Sequence, residues 1–330
     1  MFRSSLPRFV STGSLSTMMA HLLSLFRGSD EEIYLDCSQF EFADPMGLCL
    51  LRYHLDLVTY LDCVVHIENL SDEWAAYFEK MNFFTGLTNV HCANRPTPAS
   101  RVAQDHVFVE VTKIDSELSI DVTAGRLAAA IVGASSAPAE ADPDGMTASP
   151  ADRLHHVIQY ILSELINNAA FHGAARGFKN REIWVAAQYY KHSDSVRLAI
   201  LDNGCGFLES LRDHSALQEP THESAISAAL TPRVSCNRDL ARGLDSGNQG
   251  LGLSVSKALT IAAGGRIDVF SGDAWYRATA QTTQFRPLNH NWQGVGIAMR
   301  MLRNRLQEIE ISRTINEVAP VRERRAFNFE

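Results

Sequence analysis

Apolar positions along the chain recur in two rhythms, and the rhythm changes from segment to segment. Ile33-Tyr-Leu-Asp-Cys reads as a strand and Leu48–Leu61 as a helix. Val64-Val-His-Ile reads as a second strand and Leu70–Met81 as another helix. Strand, helix, strand, helix predicts a small α/β unit with crossover connections. Pro96 and Pro98, in Ala93-Asn-Arg-Pro-Thr-Pro-Ala-Ser, then break any regular element and mark a boundary near 93–105. Beyond it, Val107-Phe-Val-Glu-Val-Thr alternates as a strand does, and a helix follows over Thr123–Val132. From Gly133 to Pro150 the residues are small and polar with prolines among them, so this stretch is read as a flexible connection inside the second unit.

The second half opens on the longest periodic stretch, Ala151–Phe171, which predicts a helix with Pro150 near its first turn. Ile183–Tyr190 and Ser195–Leu201 predict strands joined by a turn at Lys191-His-Ser-Asp. Residues 207–246 read as irregular and polar. Gly252–Ala263 predicts a helix ended by Gly264-Gly265, and Arg266–Phe270 and Gly294–Met301 predict further strands. The expected class is therefore α/β throughout: a small N-terminal unit over 1–98, then an α/β sandwich over 99–303 with helices on one face of a mixed sheet. A C-terminal helix and tail occupy 304–330.

Composition changes this picture little. Of the 330 residues, 45% are hydrophobic and 21% charged, as in ordinary globular chains. The formal net charge of -8 argues against nucleic acid as the main partner, since phosphate backbones need clustered Lys and Arg. Arg300, Arg303, Arg305, Arg313, Arg322, Arg324 and Arg325 form the one basic run, but Glu308, Glu310, Glu317 and Glu323 interrupt it, which favours a solvated helix and tail over a docking patch. Cys37, Cys49, Cys63, Cys92, Cys205 and Cys236 form no Cys-x-x-Cys pair and no zinc spacing with histidines, so free thiols in a reducing cytoplasm are expected. No run approaches the roughly 20 apolar residues of a membrane-spanning helix, and a cytoplasmic protein with no membrane contact is expected.

Candidate chemistry lies at three places in the second half. Glu164 and Asn168 are four residues apart on the long helix and share one face. An Asn oxygen suits Mg²⁺, and a Glu beside that metal can orient or deprotonate a nucleophile. Asp202 ends an apolar strand, where its carboxylate needs a donor such as an adenine amino group; Gly204 and Gly206 let the backbone turn sharply beside a flat base. Gly247-Asn-Gln-Gly-Leu-Gly252 runs into a helix, so its N–H groups can face phosphates, with Lys257 one to two turns further in. It is neither a Walker loop nor a dinucleotide fingerprint. Taken alone, the first two motifs read more readily as an ordinary helix face and an ordinary turn, and the third equally as a glycine loop; their order is what carries weight.

In that order they resemble a known family. Ser163-Glu-Leu-Ile-Asn-Asn-Ala-Ala-Phe-His-Gly173 resembles the N box of the GHKL (Bergerat-fold) ATPases, Asp202-Asn-Gly-Cys-Gly the G1 box, and Gly247–Leu253 with Gly264-Gly265 the G2 box. The wording of the N box is closest to the anti-sigma-factor serine kinases. The resemblance covers about residues 105–301 and implies ATP with Mg²⁺. Asn168 would be the metal ligand and Glu164 the general base. Asp202 would bind the adenine N6, Gly204 and Gly206 would flank the base, and Gly250, Leu251 and Gly252 would bound the phosphates. Residues 207–249 would be the ATP lid. Many members carry Gly-Thr before the last strand, whereas Val295 follows Gly294 here.

The stretch from Ile33 to Leu48 is similar to the core of a STAS domain, the anti-sigma-factor-antagonist fold. Pro45 and Met46 follow Asp44 where that family often carries a phosphorylatable Ser, and Ser38 lies elsewhere in the pattern. The resemblance thus implies a partner-docking unit without the switch residue. The function expected is an ATP-Mg-binding regulatory protein, an ATPase or nucleotide-driven switch acting on a protein partner in bacterial signalling. A protein serine/threonine kinase is the alternative. A sensor histidine kinase is disfavoured because His155 and His156 lie on the N-box helix itself. Family members often dimerise, so a homodimer is compatible, although no coiled-coil seam shows.

Overall fold

The computed structural model describes residues 1–24, 32–97, 107–116, 118–133, 150–173, 182–234, 250–318 and 320. The N-terminal half carries a parallel sheet of β1 (Phe2–Ser5), β3 (Glu32–Asp36), β5 (Val64–Glu68) and β6 (Val90–Cys92), in the order β1-β3-β5-β6. A short parallel pair, β2 (Phe9–Val10) and β4 (Phe42–Ala43), lies apart from it. The helices α1 (Leu15–Ser24), α2 (Pro45–Tyr60) and α3 (Asp72–Lys80) complete this half. The predicted alternation holds, and the two strands at Phe2 and Val90 extend the sheet at its edges.

The start of α2 has a local cause. Asp44 is its N-cap, accepting from the Gly47 N–H at 2.9 Å, and Pro45 occupies the first turn, where its missing N–H costs nothing. The same carboxylate accepts from the backbone and hydroxyl of Thr12 at 3.0 and 2.8 Å, which ties β2 and α1 to α2. Ser38 is exposed and hydrogen-bonded to Asp36.

The second half is built on a five-stranded antiparallel sheet in the order β10-β11-β9-β8-β7: β7 (Phe108–Lys113), β8 (Ile183–Tyr190), β9 (Ser195–Asp202), β10 (Arg266–Thr279) and β11 (Thr283–Leu302). On one face lie α4 (Leu118–Val132), α5 (Pro150–Gly173) and α8 (Gly252–Ala262). The opposite face is covered too. Trp184, Ala199, Leu201, Phe270, Trp292 and Ala298 share one buried cluster with Leu48, Leu51 and Leu55 of α2. This explains why β9 reads as a continuous apolar run: a strand covered on both faces does not alternate. The junction also carries hydrogen bonds, from Tyr77 Oη to Gln188 at 2.5 Å and from the Val111 N–H to the Met81 carbonyl at 2.9 Å.

Several expectations need correction. Residues 207–230 are not irregular: α6 (Gly206–Ser210) and α7 (His222–Ala229) stand there. Thr221 caps α7, and Ala225 and Ile226 are fully buried, one short apolar stripe that the surrounding polar residues conceal in the sequence. The strands expected at Arg266–Phe270 and Gly294–Met301 are the inner parts of a much longer hairpin, β10 with β11. The basic run does not act as one feature: Arg303 stacks on Tyr189 and donates to the Ile131 carbonyl, while Arg313 pairs with Glu317 on α10 (Ile311–Val318). Arg322, Arg324, Arg325, Cys236, most of the 133–150 connection and the 235–249 part of the expected lid lie outside the described residues, as does the boundary from 98 to 106. Five cysteines are free thiols, and burial pushes the Cys37 thiol up to about 12. No described helix is long and apolar enough to cross a membrane.

Candidate active site

Three elements bring the expected site residues together. The helix α5 presents Glu164 and Asn168 one turn apart, β9 ends at Asp202, and the chain re-enters at Gly250 just before α8. Asn168, Asp202, Gly206 and Gly250 line one cleft of about 780 Å³, counting its open mouth. Its walls are mostly apolar, from Leu165, Ile200, Phe207, Leu253, Val295 and Ile297. Polar groups are few and convergent, as a site that orients a flat, partly apolar ligand requires.

Asp202 is the anchor of the cleft. It is 5% exposed, and burial pushes its carboxyl up to about 7 despite hydrogen bonds from the N–H groups of Gly204 and Val295. The Gly204 N–H reaches Asp202 Oδ1 at 2.8 Å, so Gly204 shapes the carboxylate and is not itself part of the lining. Behind the strand, Trp292 Nε1 donates to the Asp202 carbonyl at 3.0 Å and holds the strand end against the N-terminal half. Val295, at the position the Gly-Thr pattern would make Thr, lines the cleft with an apolar side chain.

Two glycines make close approaches that a Cβ would prevent. Gly206 has φ +74, and an added Cβ would lie 2.8 Å from Ser271 Oγ; that hydroxyl donates to the Gly294 carbonyl and accepts from the Phe207 N–H, which pins the start of α6. Gly250 has φ +79, and its carbonyl accepts from the Arg233 N–H at 3.0 Å.

Glu164 faces a different, adjoining hollow, with Leu251, Gly252, His156, Tyr160 and Ile315. The two spaces meet where residues 164–165 of α5 approach 250–252; a Cβ on Gly252 would sit 3.3 Å from that of Glu164. Glu164 is half-buried, burial raises its carboxyl above the usual range, and it has no hydrogen-bond partner among the described residues. A half-buried carboxylate whose basicity is raised in this way is suited to taking a proton. Lys257 is not in the lining; its Nζ lies over the Tyr276 ring, 5.3 Å from the centroid. Gly247, Asn248 and Gln249 lie outside the described residues. The residues that sequence reasoning missed are Phe207, Ser210, Leu211, Ala229 and Val234, from α6, α7 and the segments beside them, which carried no motif, and Cys205, which lies within the Asp202–Gly206 motif but was given no role.

Among the described residues no group of His, Cys, Asp and Glu is arranged as a metal cluster. A magnesium ion held by one Asn oxygen, phosphate oxygens and waters needs no such cluster, so Asn168 in the cleft fits that ion. No curated protein and no solved structure matches the chain. Residues 153–288, from α5 into the first third of β11, match the family model of the Histidine kinase-, DNA gyrase B-, and HSP90-like ATPases, the family that the three motifs resemble.

Proposed function

We propose that the protein is an ATP-Mg²⁺-binding regulator, an ATPase or nucleotide-driven switch whose N-terminal STAS-like half docks a protein partner. The observation that carries this reading is the convergence of Asn168, Asp202, Gly206 and Gly250 on one cleft with Glu164 beside it. Asp202 accepts from the adenine amino group, and Gly204 and Gly206 allow the base to approach. Asn168 holds the metal, which neutralises phosphate charge when bound. The start of α8 at Gly250, Leu251 and Gly252 offers N–H groups to the phosphates. Glu164 orients or deprotonates the attacking hydroxyl or water. Residues 207–249 are the lid. The serine/threonine kinase reading is the second, favoured by the Glu164-to-Gly173 wording and the STAS-like companion. The histidine-kinase reading is weaker, because His155 sits on α5 with its ring at 3.2 Å from the Gly125 carbonyl.

The decisive experiment incubates the full chain with γ-labelled ATP and Mg²⁺. Free phosphate identifies an ATPase, label on an added protein a kinase, and acid-labile label on the chain itself a histidine kinase. Asn168→Ala is expected to weaken Mg²⁺-dependent nucleotide binding at least ~30-fold, about 2 kcal/mol; parental affinity in calorimetry rejects the metal role.

A pH series tests Asp202. An amino donor favours the ionised carboxylate, and the free protein keeps this group largely protonated below about 7. ADP affinity is therefore expected to rise from pH 6 to 8 with proton release, and Asp202→Asn to remove the trend. A flat parental profile counts against adenine contact.

A further inference from the structure

Two segments outside the three motifs meet at the start of α8. The first is the turn after α7. Arg233 has φ +65, in the left-handed region that a residue with a Cβ rarely adopts. Its backbone N–H donates to the Gly250 carbonyl at 3.0 Å, and its Nη2 donates to the Pro320 carbonyl at 2.9 Å. Strained backbone of this kind persists only where its surroundings over-determine it. The Gly250 carbonyl and the Leu251 N–H belong to one peptide unit. That unit is planar and trans, so a bond that fixes the carbonyl also fixes the direction of the N–H on its other side.

The second segment is C-terminal. The helix α10 is amphipathic: Ile315 and Val318 are half-buried, while Arg313, Asn316 and Glu317 are exposed. Its apolar side, together with Ile309, packs on Ile161 of α5 and on Leu251, Val255 and Leu259 at α8. Ile315 and Leu251 also face each other across the hollow that holds Glu164. Leu251 stands at the N-cap of α8, where an apolar side chain offers no capping bond, so its own chemistry does not fix the helix start. It is held from outside instead, at its peptide by Arg233 and at its side chain by α10. The bond from Arg233 to Pro320 joins the two holds.

We propose that Arg233 and Ile315 are positioning residues for the phosphates of the nucleotide, holding Leu251 so that the N–H groups at the start of α8 are aimed before the ligand arrives. Neither is among the described residues that line the cleft, so both act through Gly250 and Leu251 and not by contact. Donors aimed in advance lose less freedom when the ligand binds, which raises affinity. The C-terminal helix, which lies beyond the family-matched residues 153–288, is thereby part of the nucleotide site. This inference rests on the nucleotide reading of the cleft.

The test is calorimetry of the full chain with ADP-Mg²⁺ and with adenosine, which fills the Asp202 end of the cleft and carries no phosphate. Ile315→Ala is expected to weaken ADP-Mg²⁺ ~5–10-fold. Arg233→Asn tolerates the left-handed backbone and loses the long donor, and a loss of ~3-fold is expected. Adenosine affinity is expected to stay within about twofold of the parent in both variants. A role in stability alone would lower the unfolding midpoint and leave the ratio of ADP to adenosine affinity unchanged. Arg233 is exposed, so its variant keeps the test open if Ile315→Ala does not fold. The inference is overturned if the folded variants bind ADP-Mg²⁺ as the parent does, or if adenosine weakens by the same factor as ADP-Mg²⁺. A parent chain that binds neither ligand overturns the nucleotide reading itself, whereas a parent that binds both, with unchanged variants, overturns the positioning role alone.

Discussion

Replacing Glu164 by alanine is expected to leave ATP affinity within about threefold of the parent and to slow turnover at least ~100-fold, the usual scale for losing a positioned base. The carboxylate does not line the cleft that holds Asn168 and Asp202, so its removal subtracts little from nucleotide binding. It does remove the one half-buried acid that stands beside the start of α8 without a hydrogen-bond partner among the described residues. Glu164→Gln keeps the volume and loses the basicity, and is expected to be nearly as slow. Single-turnover rates for both variants make the check. Turnover at the parental rate in either variant removes Glu164 from the chemistry, and a comparable loss in affinity and rate recasts it as a binding group.

Trp292→Ala is expected to produce the largest loss of stability, ~3–5 kcal/mol, typical of deleting a buried indole. Trp292 is 5% exposed and sits where the halves meet, its ring centroid 5.1 Å from that of Tyr53 on α2 and 6.2 Å from that of Phe270 on β10. The same residue donates to the Asp202 carbonyl, so ADP affinity falls together with stability. Trp292→Phe separates the two contributions: it restores most of the packing and leaves the carbonyl without its donor, a loss of about 1 kcal/mol. Urea unfolding and ADP titration of both variants provide the measurement. Stability of the alanine variant within 1 kcal/mol of the parent means that the N-terminal half is not anchored through this residue.

These two residues differ in how visible they are along the chain. Glu164 and Asn168 are legible because a helix repeats every 3.6 residues, so a spacing of four is enough to place both side chains on one face. Asp202 is legible because it ends an apolar strand and is followed by glycines. The strands Ile183–Tyr190 and Ser195–Asp202 are legible for the same local reason: β-rich composition between turn residues. Nothing local marks Trp292. Its partners are Asp202, 90 positions earlier, and Tyr53, 239 positions earlier, and such contacts carry no periodic trace.

Local chemistry in the sequence determined most of the longer elements of both halves, several of the breaks that end them, and which residue types could hold a nucleotide. Helix and strand periods, proline's fixed φ and glycine's access to positive φ all act within a few residues. The tertiary structure alone decided three things. It put Glu164 in a hollow beside the cleft rather than inside it. It turned the expected irregular stretch into α6 and α7, which wall the cleft. It covered the second face of the sheet with the N-terminal half. Each depends on burial and register between distant segments, and that is settled by packing rather than by any short run of residues.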